Sequence, residues 1–312
     1  MTMPTFPAPA GPDYFDLQVN GFAGVDFQQP DLDQAALTQA VDGLLTHRTG
    51  RILFTLITDR IDSLCAKLAN VERCRQRDPK LARVIAGYHI EGPYLSPLPG
   101  YHGAHDPALM KPPVIAEFER MQAAANGHIR LVTLAPEQPG SPEFIRHITH
   151  AGVVASIGHS AADDRQIDAA IAAGLTLCTH LGNGVPTQLH RHDNIVQRLL
   201  ARDELCAVFI PDGIHLPPAV LRNFVRAKPR DKVLFTTDCM AAAGAGPGRF
   251  RIGRFEVEVG ADGVVREPGK PNFAGSSLAM DRAVENVRQF LGWTEAEARA
   301  ACGPRVAASV GL

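Results

Sequence analysis

Short apolar runs recur along the chain, and most intervals between them space their apolar residues differently. Eight runs are continuous enough to predict buried parallel strands: Tyr14–Val19, Ile52–Ile57, Val84–Ile90, Ile129–Leu134, Val153–Ile157, Leu175–Thr179, Leu205–Ile210 and Val233–Thr237. Apolar residues three and four apart predict helices over Leu32–Leu45, Ile61–Arg75, Pro142–Ala151, Asp163–Gly174 and Pro217–Ala227. The repeated alternation of strand and helix predicts an α/β fold, a parallel (β/α)8 TIM barrel.

An open, doubly wound sheet is the alternative arrangement of the same elements. Such a sheet typically carries a Gly-rich phosphate-binding turn after its first strand, and no G-x-G-x-x-G sequence follows Val19. A length of 312 residues fits one large barrel or two ordinary domains. Because the chain has no internal repeat and no low-complexity tract, we predict one domain over residues 1–312.

Three segments depart from the alternation. Arg249 to Gly269 alternates apolar and polar residues about a turn at Ala261–Gly263, which predicts a β-hairpin inserted after the eighth strand. Ser96 to Pro113 is rich in proline, glycine and histidine and is longer than a usual connection, which is typical of an active-site loop. Thr294 to Leu312 is predicted to form a closing helix.

Composition excludes some partners and favours a compartment. The net charge of -2 predicts no nucleic-acid or anionic-membrane partner, and no apolar run approaches the roughly 20 residues of a membrane span. Met1 to Asp13 lacks the basic start and apolar stretch of a signal peptide. The six cysteines are scattered without a Cys-x-x-Cys pair, which is typical of buried thiols in a reducing compartment. We therefore predict a cytoplasmic protein.

Four residues that suit metal-dependent hydrolysis lie at or just after the ends of different predicted strands. They are Glu91, His159, His180 and Asp238. The carboxyl ends of barrel strands meet at one mouth, so these side chains are expected to converge. One carboxylate and two imidazoles form a common three-ligand zinc set with an open position for water. An aspartate beside that water can take its proton and return it to a leaving group.

Each of these residues has an ordinary structural interpretation when taken alone. A single strand-end histidine is more often a hydrogen-bonded structural residue than a ligand. An aspartate in the position of Asp238 is also favoured as a helix N-cap. The presence of all four at one mouth favours the catalytic interpretation.

Eight motifs, in order, resemble those of the N-acetylglucosamine-6-phosphate deacetylases, a family of the amidohydrolase superfamily. They are Asp16–Gly21, His89–Pro93, Gly103–Pro107, Gly158–Ser160, Thr179–Pro186, Asp212–His215, Thr237–Asp238 and Ala274–Ser277. The resemblance extends from about Phe15 to Leu312 and is more specific for the branch of the superfamily than for the substrate.

The resemblance implies roles for several of these residues. Glu91, His159 and His180 would be metal ligands, and Asp238 would be the catalytic base and acid. His105 would polarise the acetyl carbonyl and stabilise the oxyanion, although a solvent-exposed loop histidine is the alternative.

Further residues would contact the substrate in such an enzyme. Arg191 matches the phosphate-binding arginine, with a solvated surface arginine as the alternative, and His215 matches its histidine partner. Asn183, with Gly184 beside it, lies where the family contacts the substrate.

The first strand bears on the number of metal ions. Many amidohydrolases carry His-x-His there, whereas this chain has Gln18 and Asn20, whose amides are poor zinc ligands. The resemblance therefore implies one divalent ion per subunit, predicted to be zinc, with iron, cobalt or manganese as alternatives. A weakly held second ion stays open, and we count Gln18 and Asn20 among the substrate-binding residues.

The chain also departs from the family pattern. The accessory β-sandwich that usually flanks the barrel is expected to be missing, while the homodimer common in the family is still expected. Asn183-Gly184-Val185-Pro186 replaces the family's Asn-Ala-Met-Pro, and His190-Arg191-His192-Asp193-Asn194 replaces Gly-Arg-Glu-Pro-Gly. These changes indicate a reshaped sugar or phosphate pocket.

The resemblance thus predicts an amide hydrolase that removes the N-acetyl group of N-acetylglucosamine 6-phosphate, yielding glucosamine 6-phosphate and acetate. An amidohydrolase for a different N-acetyl amino sugar or N-acyl substrate is one alternative. A non-catalytic sensor that binds a sugar phosphate is another.

Overall fold

The computed structural model describes residues 14–268 and 273–312. Met1 to Asp13, and Gly269 at the end of the predicted hairpin, lie outside the described residues. The strands are β1 (Tyr14–Val19), β2 (Gly21–Phe22), β3 (Val25–Asp26), β4 (Thr49–Ile57), β5 (Ile85–Glu91), β6 (Ile129–Leu134), β7 (Val154–Ile157), β8 (Leu175–Cys178), β9 (Cys206–Phe209), β10 (Val233–Phe235), β11 (Gly248–Ile252), β12 (Phe255–Val259) and β13 (Val265–Arg266). The helices are α1 (Gln34–Thr46), α2 (Ile61–Arg77), α3 (Pro79–Val84), α4 (Ile115–Ala124), α5 (Ser141–His150), α6 (Asp164–Ala173), α7 (Ile195–Leu200), α8 (Pro218–Arg226), α9 (Met280–Leu291), α10 (Glu295–Ala301) and α11 (Pro304–Ser309).

The predicted (β/α)8 barrel is confirmed. Eight parallel strands pair in the order β1, β4, β5, β6, β7, β8, β9 and β10. The first and last of them meet through a parallel bridge between Val19 and Cys239, where the amide of Asn20 donates to the carbonyl of Cys239 at 2.7 Å. All eight predicted strands are present, with ends that shift by no more than three residues.

Two predicted segments are built differently from the expectation. The hairpin region holds three antiparallel strands rather than two: Gly253–Arg254 joins β11 to β12, and the predicted turn at Ala261–Gly263 joins β12 to β13. The predicted closing helix is two helices, α10 and α11, because Gly303-Pro304 interrupts it. Proline lacks the N–H that a continuous helix would need at that point and fits the first turn of a new one.

Apolar side chains fill the barrel at the amino ends of its strands. Phe15, Leu53, Leu131 and Leu234 belong to one buried cluster with Val306 and Val310 of α11 or its end. Helix α11 therefore covers this end of the barrel, and the opposite, carboxyl end is left to form a mouth. None of the helices among the described residues is long and apolar enough to cross a membrane.

Candidate active site

A cleft of about 540 Å³ opens at the carboxyl ends of the barrel strands. The ends of strands, or the residues just after them, contribute Asn20, Ile57, Glu91, His159, His180 and Asp238 to its lining. Surrounding loops and the end of β11 contribute, among others, His102, His105, Asn183, Gly184, His215, Ile252 and Phe273. The predicted convergence of strand-end residues is therefore seen in the geometry.

Glu91 is the centre around which three imidazoles gather. Its Oε1 lies 2.9 Å from His180 Nε2 and 3.4 Å from His159 Nε2, while its Oε2 lies 3.7 Å from His105 Nε2. All four residues are buried. Burial alone would raise the pKa of Glu91, but the neighbouring rings of His159 and His180 hold that pKa well below its ordinary value.

The arrangement can hold a metal ion. Ligand-type atoms of Glu91, His105 and His159 all lie within 4.8 Å of one another. The sequence predicts His180 rather than His105 as the third ligand, and His180 also faces Glu91. Geometry alone thus offers two possible third ligands. They differ behind the ring, because Nδ1 of His105 has hydrogen-bond partners, whereas Nδ1 of His180 has none among the described residues.

His159 is oriented as a metal ligand would be. Its Nδ1 lies 2.7 Å from the carbonyl oxygen of Tyr101, which can only accept, so Nδ1 carries the hydrogen and Nε2 keeps a lone pair. Two glycines let the backbone close on this ring. A Cβ on Gly184 would lie 2.7 Å from His159 Nδ1, and one on Gly103 would lie 2.9 Å from Cε1.

His105 is held differently. Its Nδ1 lies 3.3 Å from the backbone nitrogen of Thr58, which donates to it, and 2.9 Å from Thr58 Oγ1. Burial and the neighbouring His159 lower the pKa of His105 to about 3, so the ring is neutral at ordinary pH. The predicted alternative of a solvent-exposed loop histidine is wrong, since His105 is 6% exposed.

Thr58 was missed by the sequence analysis. It directly follows the second predicted strand, and a polar residue in that position is the same signal that identified the other strand-end residues.

Asp238 lies at the same mouth and is half-buried. The side-chain nitrogen of Asn20 donates to its Oδ1 at 2.8 Å. Burial raises the pKa of Asp238 to about 7, although the nearby His180 acts to lower it. A carboxyl group with such a pKa can accept and return a proton near neutral pH.

One wall of the cleft carries a histidine fixed by a neighbouring carboxylate. His215 Nδ1 lies 2.6 Å from Asp212 Oδ2, and Asp212 Oδ1 also accepts from the amides of Ile214 and His215. The ring of Phe273 lies 5.2 Å from that of His215. Because Nδ1 contacts Asp212, the other ring nitrogen of His215, Nε2, is available to a ligand in the cleft.

The remaining predicted substrate residues divide into two groups. Asn20, Asn183 and Gly184 line the cleft. Arg191 is exposed and is not among the lining residues in the described part of the chain. Gln18 is buried and also does not line the cleft, and neither atom of its side-chain amide has a hydrogen-bond partner among the described residues.

Known proteins of similar sequence are amino-sugar phosphate deacetylases. The chain is 35% identical over 291 residues to an N-acetylgalactosamine-6-phosphate deacetylase of Escherichia coli O157:H7, covering 92% of this chain and 74% of that protein. It is 35% identical over 311 residues to an N-acetylglucosamine-6-phosphate deacetylase of Homo sapiens, covering 96% and 74%. No protein-family model matches the chain.

Solved structures give the same picture. An N-acetyl-D-glucosamine-6-phosphate deacetylase variant from Mycobacterium smegmatis, in complex with N-acetyl-D-glucosamine-6-phosphate, superposes with a TM-score of 0.86 at 30% identity. That match covers 100% of this chain and 82% of the other. The Thermotoga maritima enzyme gives a TM-score of 0.85 at 26% identity, covering 97% and 80%.

Proposed function

The chain belongs to the N-acetylglucosamine-6-phosphate deacetylase family and is an amide hydrolase, and we propose that it releases acetate from N-acetylglucosamine 6-phosphate. The observation that carries this proposal is the gathering of Glu91, three histidines and Asp238 at one mouth of a barrel with these relatives. A pure binding protein would have no need of a half-buried aspartate whose pKa is raised to about 7 beside a cluster of potential metal ligands.

We assign the ion to Glu91, His159 and His180, and we propose that it is zinc. His105 is left out of the set because its Nδ1 accepts a hydrogen bond from an amide, which places the ring hydrogen on Nε2, the atom that faces Glu91. When bound, a divalent ion would supply Lewis-acid polarisation of the substrate carbonyl. The lowered pKa of Glu91 fits a carboxylate that stays ionised and can bind the ion.

The protein's own groups then perform the proton transfers. Asp238 takes a proton from the attacking water while the water oxygen bonds to the acetyl carbon. The carbonyl oxygen gains negative charge in this step, and His105 Nε2–H donates a hydrogen bond to it. Asp238 passes its proton to the amide nitrogen, the C–N bond breaks, and acetate and the free amine leave. Asn20 holds the Asp238 carboxylate in place through its 2.8 Å hydrogen bond.

We assign the phosphate end of the substrate to the wall that carries His215. Asp212 fixes the imidazole through Nδ1, so the opposite nitrogen can face an anion in the cleft. Arg191 stays a predicted phosphate ligand that lies away from the cleft lining. N-acetylgalactosamine 6-phosphate is a second candidate substrate, because one relative at 35% identity is named for that sugar.

Acetate release from a small set of compounds tests the activity. We expect turnover of N-acetylglucosamine 6-phosphate to exceed that of unphosphorylated N-acetylglucosamine and of an N-acetyl amino acid. N-acetylgalactosamine 6-phosphate, measured in parallel, reports which C4 configuration the cleft accepts. Release of no acetate from either phosphorylated sugar by metal-loaded protein, together with tight binding of one of them, would establish the sensor alternative.

Asp238→Asn tests the proton-transfer role. We expect kcat to fall by about 10²- to 10⁴-fold, the usual contribution of a general acid–base residue, while metal content stays unchanged. Glu91→Gln is the contrasting variant, because it should lose bound metal and activity together. Near-normal turnover by Asp238→Asn would contradict the assignment.

We further propose that the protein is a cytoplasmic homodimer. Support comes from the six cysteines, which stand as free thiols, and from the prevalence of symmetric dimers among oligomers. Analytical ultracentrifugation tests the dimer, for which we expect about twice the 33.5 kDa mass of the chain. A sedimenting species of single-chain mass would contradict it.

A further inference from the structure

We propose that Thr58 is a positioning residue: it fixes the ring hydrogen of His105 on Nε2 and aims that N–H at the acyl oxygen of the substrate. The inference rests on the proposed deacetylase function, within which His105 stabilises the oxyanion. It adds a polar residue at the end of β4, a strand that otherwise gives the cleft only the apolar Ile57 among the described residues.

Thr58 meets His105 with both of its hydrogen-bonding groups. The residue directly follows β4 and is 7% exposed. Its amide nitrogen lies 3.3 Å and its Oγ1 lies 2.9 Å from His105 Nδ1. Both groups therefore converge on the ring nitrogen that points away from the cluster around Glu91.

An amide can only donate a hydrogen bond, and this fixes the tautomer. Because Nδ1 of His105 accepts from the Thr58 amide, a neutral ring must carry its hydrogen on Nε2. The Thr58 hydroxyl can donate to the same nitrogen and strengthen the preference. Nε2 then presents an N–H rather than a lone pair to the mouth.

His159 provides the opposite case within the same cluster. Its Nε2 is 3.4 Å from Glu91 and that of His105 is 3.7 Å, so distance hardly separates them. The Nδ1 partner of His159 is a carbonyl, which leaves a lone pair on its Nε2. The hydrogen-bond partner of Nδ1 thus makes His159 a metal ligand and His105 a hydrogen-bond donor, although the two rings are similarly placed.

The backbone makes room for the Thr58 hydroxyl. Gly92, which follows the carboxylate of β5, has φ of +86°, and a Cβ there would lie 2.2 Å from Thr58 Oγ1. Within the described part of the chain, the hydroxyl has one other acceptor, the carbonyl of Glu91, at 3.5 Å. Since the imidazole nitrogen is 0.6 Å closer (3.5 − 2.9), the hydroxyl hydrogen is directed to His105.

Loss of the Thr58 contacts that set the His105 tautomer would slow the chemical step. A His105 ring with its hydrogen on Nδ1 would turn a lone pair toward an oxygen that gains negative charge, and the transition state would lose a donor. Ground-state binding of the sugar and phosphate would change little. The effect should therefore appear in kcat rather than in KM.

Nitrogen NMR of ¹⁵N-histidine-labelled, zinc-loaded protein reads the tautomer without an activity assay, because protonated and bare ring nitrogens resonate far apart. We expect His105 to carry its hydrogen on Nε2, with its signals assigned by their absence from His105→Asn. Thr58→Val keeps the amide donor but loses the hydroxyl donor, so it should shift those signals part of the way toward a tautomeric mixture, while Thr58→Ser should retain the wild-type pattern. A hydrogen on Nδ1 of His105 in the wild-type protein would overturn the proposal.

Kinetics then test whether Thr58 acts through His105. Thr58→Val keeps the shape but loses the hydroxyl, and we expect kcat to fall about 10- to 30-fold with KM within about twofold. Thr58→Ser should recover most of the rate, and Thr49→Val, a buried threonine at the amino end of the same strand, is the control. In a His105→Asn background, Thr58→Val should lower kcat no further.

A full additional loss in that background would show that Thr58 does not act through His105. The outcomes also separate this proposal from the proposed function. If the wild-type protein releases no acetate, the function fails, whereas the NMR measurement still decides the tautomer.

Discussion

Backbone strain is concentrated at the residues to which we assign chemistry. Among the described residues other than glycine, those with positive φ are Ala23, Arg48, Asn126, His159, His180 and Asp238. Side chains with a Cβ rarely adopt this conformation, which costs on the order of 1–3 kcal/mol per residue. Half of the set therefore consists of two assigned metal ligands and the assigned base, each at a strand end where a sharp turn aims the side chain.

Sequence could predict which residues reach the mouth but not how each is held. Glu91, His159, His180 and Asp238 follow apolar runs, and barrel geometry brings such positions together. The tautomer of His105 depends on Thr58, 47 positions away, and no local pattern contains that contact. Arg191 was identified by the family resemblance, and a match between sequences does not report that its loop turns the residue to solvent.

A buried aspartate beside the site gives a prediction about pH. Asp16 is fully buried and accepts hydrogen bonds from the hydroxyls of Thr236 and Thr237. Burial nevertheless raises the pKa of Asp16 from 3.8 to about 6. The folded protein then holds this proton more tightly than the unfolded chain does, so the contribution to stability is present below pH 4 and is lost as the pH rises to about 6.

We expect Asp16 to lower the free energy of unfolding by about 3 kcal/mol between pH 4 and pH 7. Urea unfolding of wild type and Asp16→Asn across this range measures the contribution as a difference between the two profiles. The exposed Asp31, substituted by asparagine, is the control, since its carboxylate stays in water. Parallel profiles for wild type and Asp16→Asn would contradict the prediction.

At the scale of elements, two insertions predicted separately are joined at the mouth. Arg254, in the turn between β11 and β12, lies 2.6 Å from the carboxylate of Asp106, the neighbour of His105. The same turn is tied to the barrel by the amide of Gly253, which donates to Asp26 at 2.9 Å. The hairpin thus braces the long loop that carries His105.

The sequence could identify both insertions because each breaks the alternation of strand and helix. It could not show that they meet, because one pair of opposite charges among many carries no signal of contact. The position of the first turn was also missed. Gly253-Arg254 is a tighter connection than the Ala-Asp-Gly sequence that served as the turn signal, and both turns are used.

Arg254→Ala should loosen the loop without unfolding the protein. An exposed ion pair contributes at most about 1 kcal/mol, so we expect little change in stability and a rise of about two- to fivefold in KM. Arg266→Ala is the matched control, because it breaks the pair of Arg266 with Asp262, 2.8 Å apart in the same hairpin region but outside the cleft lining. Equal effects of the two substitutions on KM would show that the brace has no role at the mouth.

At the scale of the whole molecule, the packing that stabilises the barrel and the residues that we assign to chemistry lie at opposite ends of its axis. The apolar cluster and α11 occupy the amino end, whereas the cleft and its buried charges occupy the carboxyl end. The strand pattern was enough to predict this polarity, since it follows from parallel strands in a closed barrel. It did not predict α11 as a separate covering helix, because the break at Gly303-Pro304 lies within a segment of helical pattern.

This division predicts that the amino end can be weakened without loss of turnover. Val306 is fully buried in the cluster beneath the barrel, and Val306→Ala removes two methyl groups, which should cost about 2 kcal/mol of unfolding free energy. Urea unfolding measures that loss, and acetate release below the unfolding transition should stay within about twofold of wild type. Val114→Ala is the control, because Val114 is 40% exposed and its truncation should change neither quantity. A fall in kcat for folded Val306→Ala would show instead that packing at the amino end reaches the strand ends, where the strained residues His159, His180 and Asp238 are held.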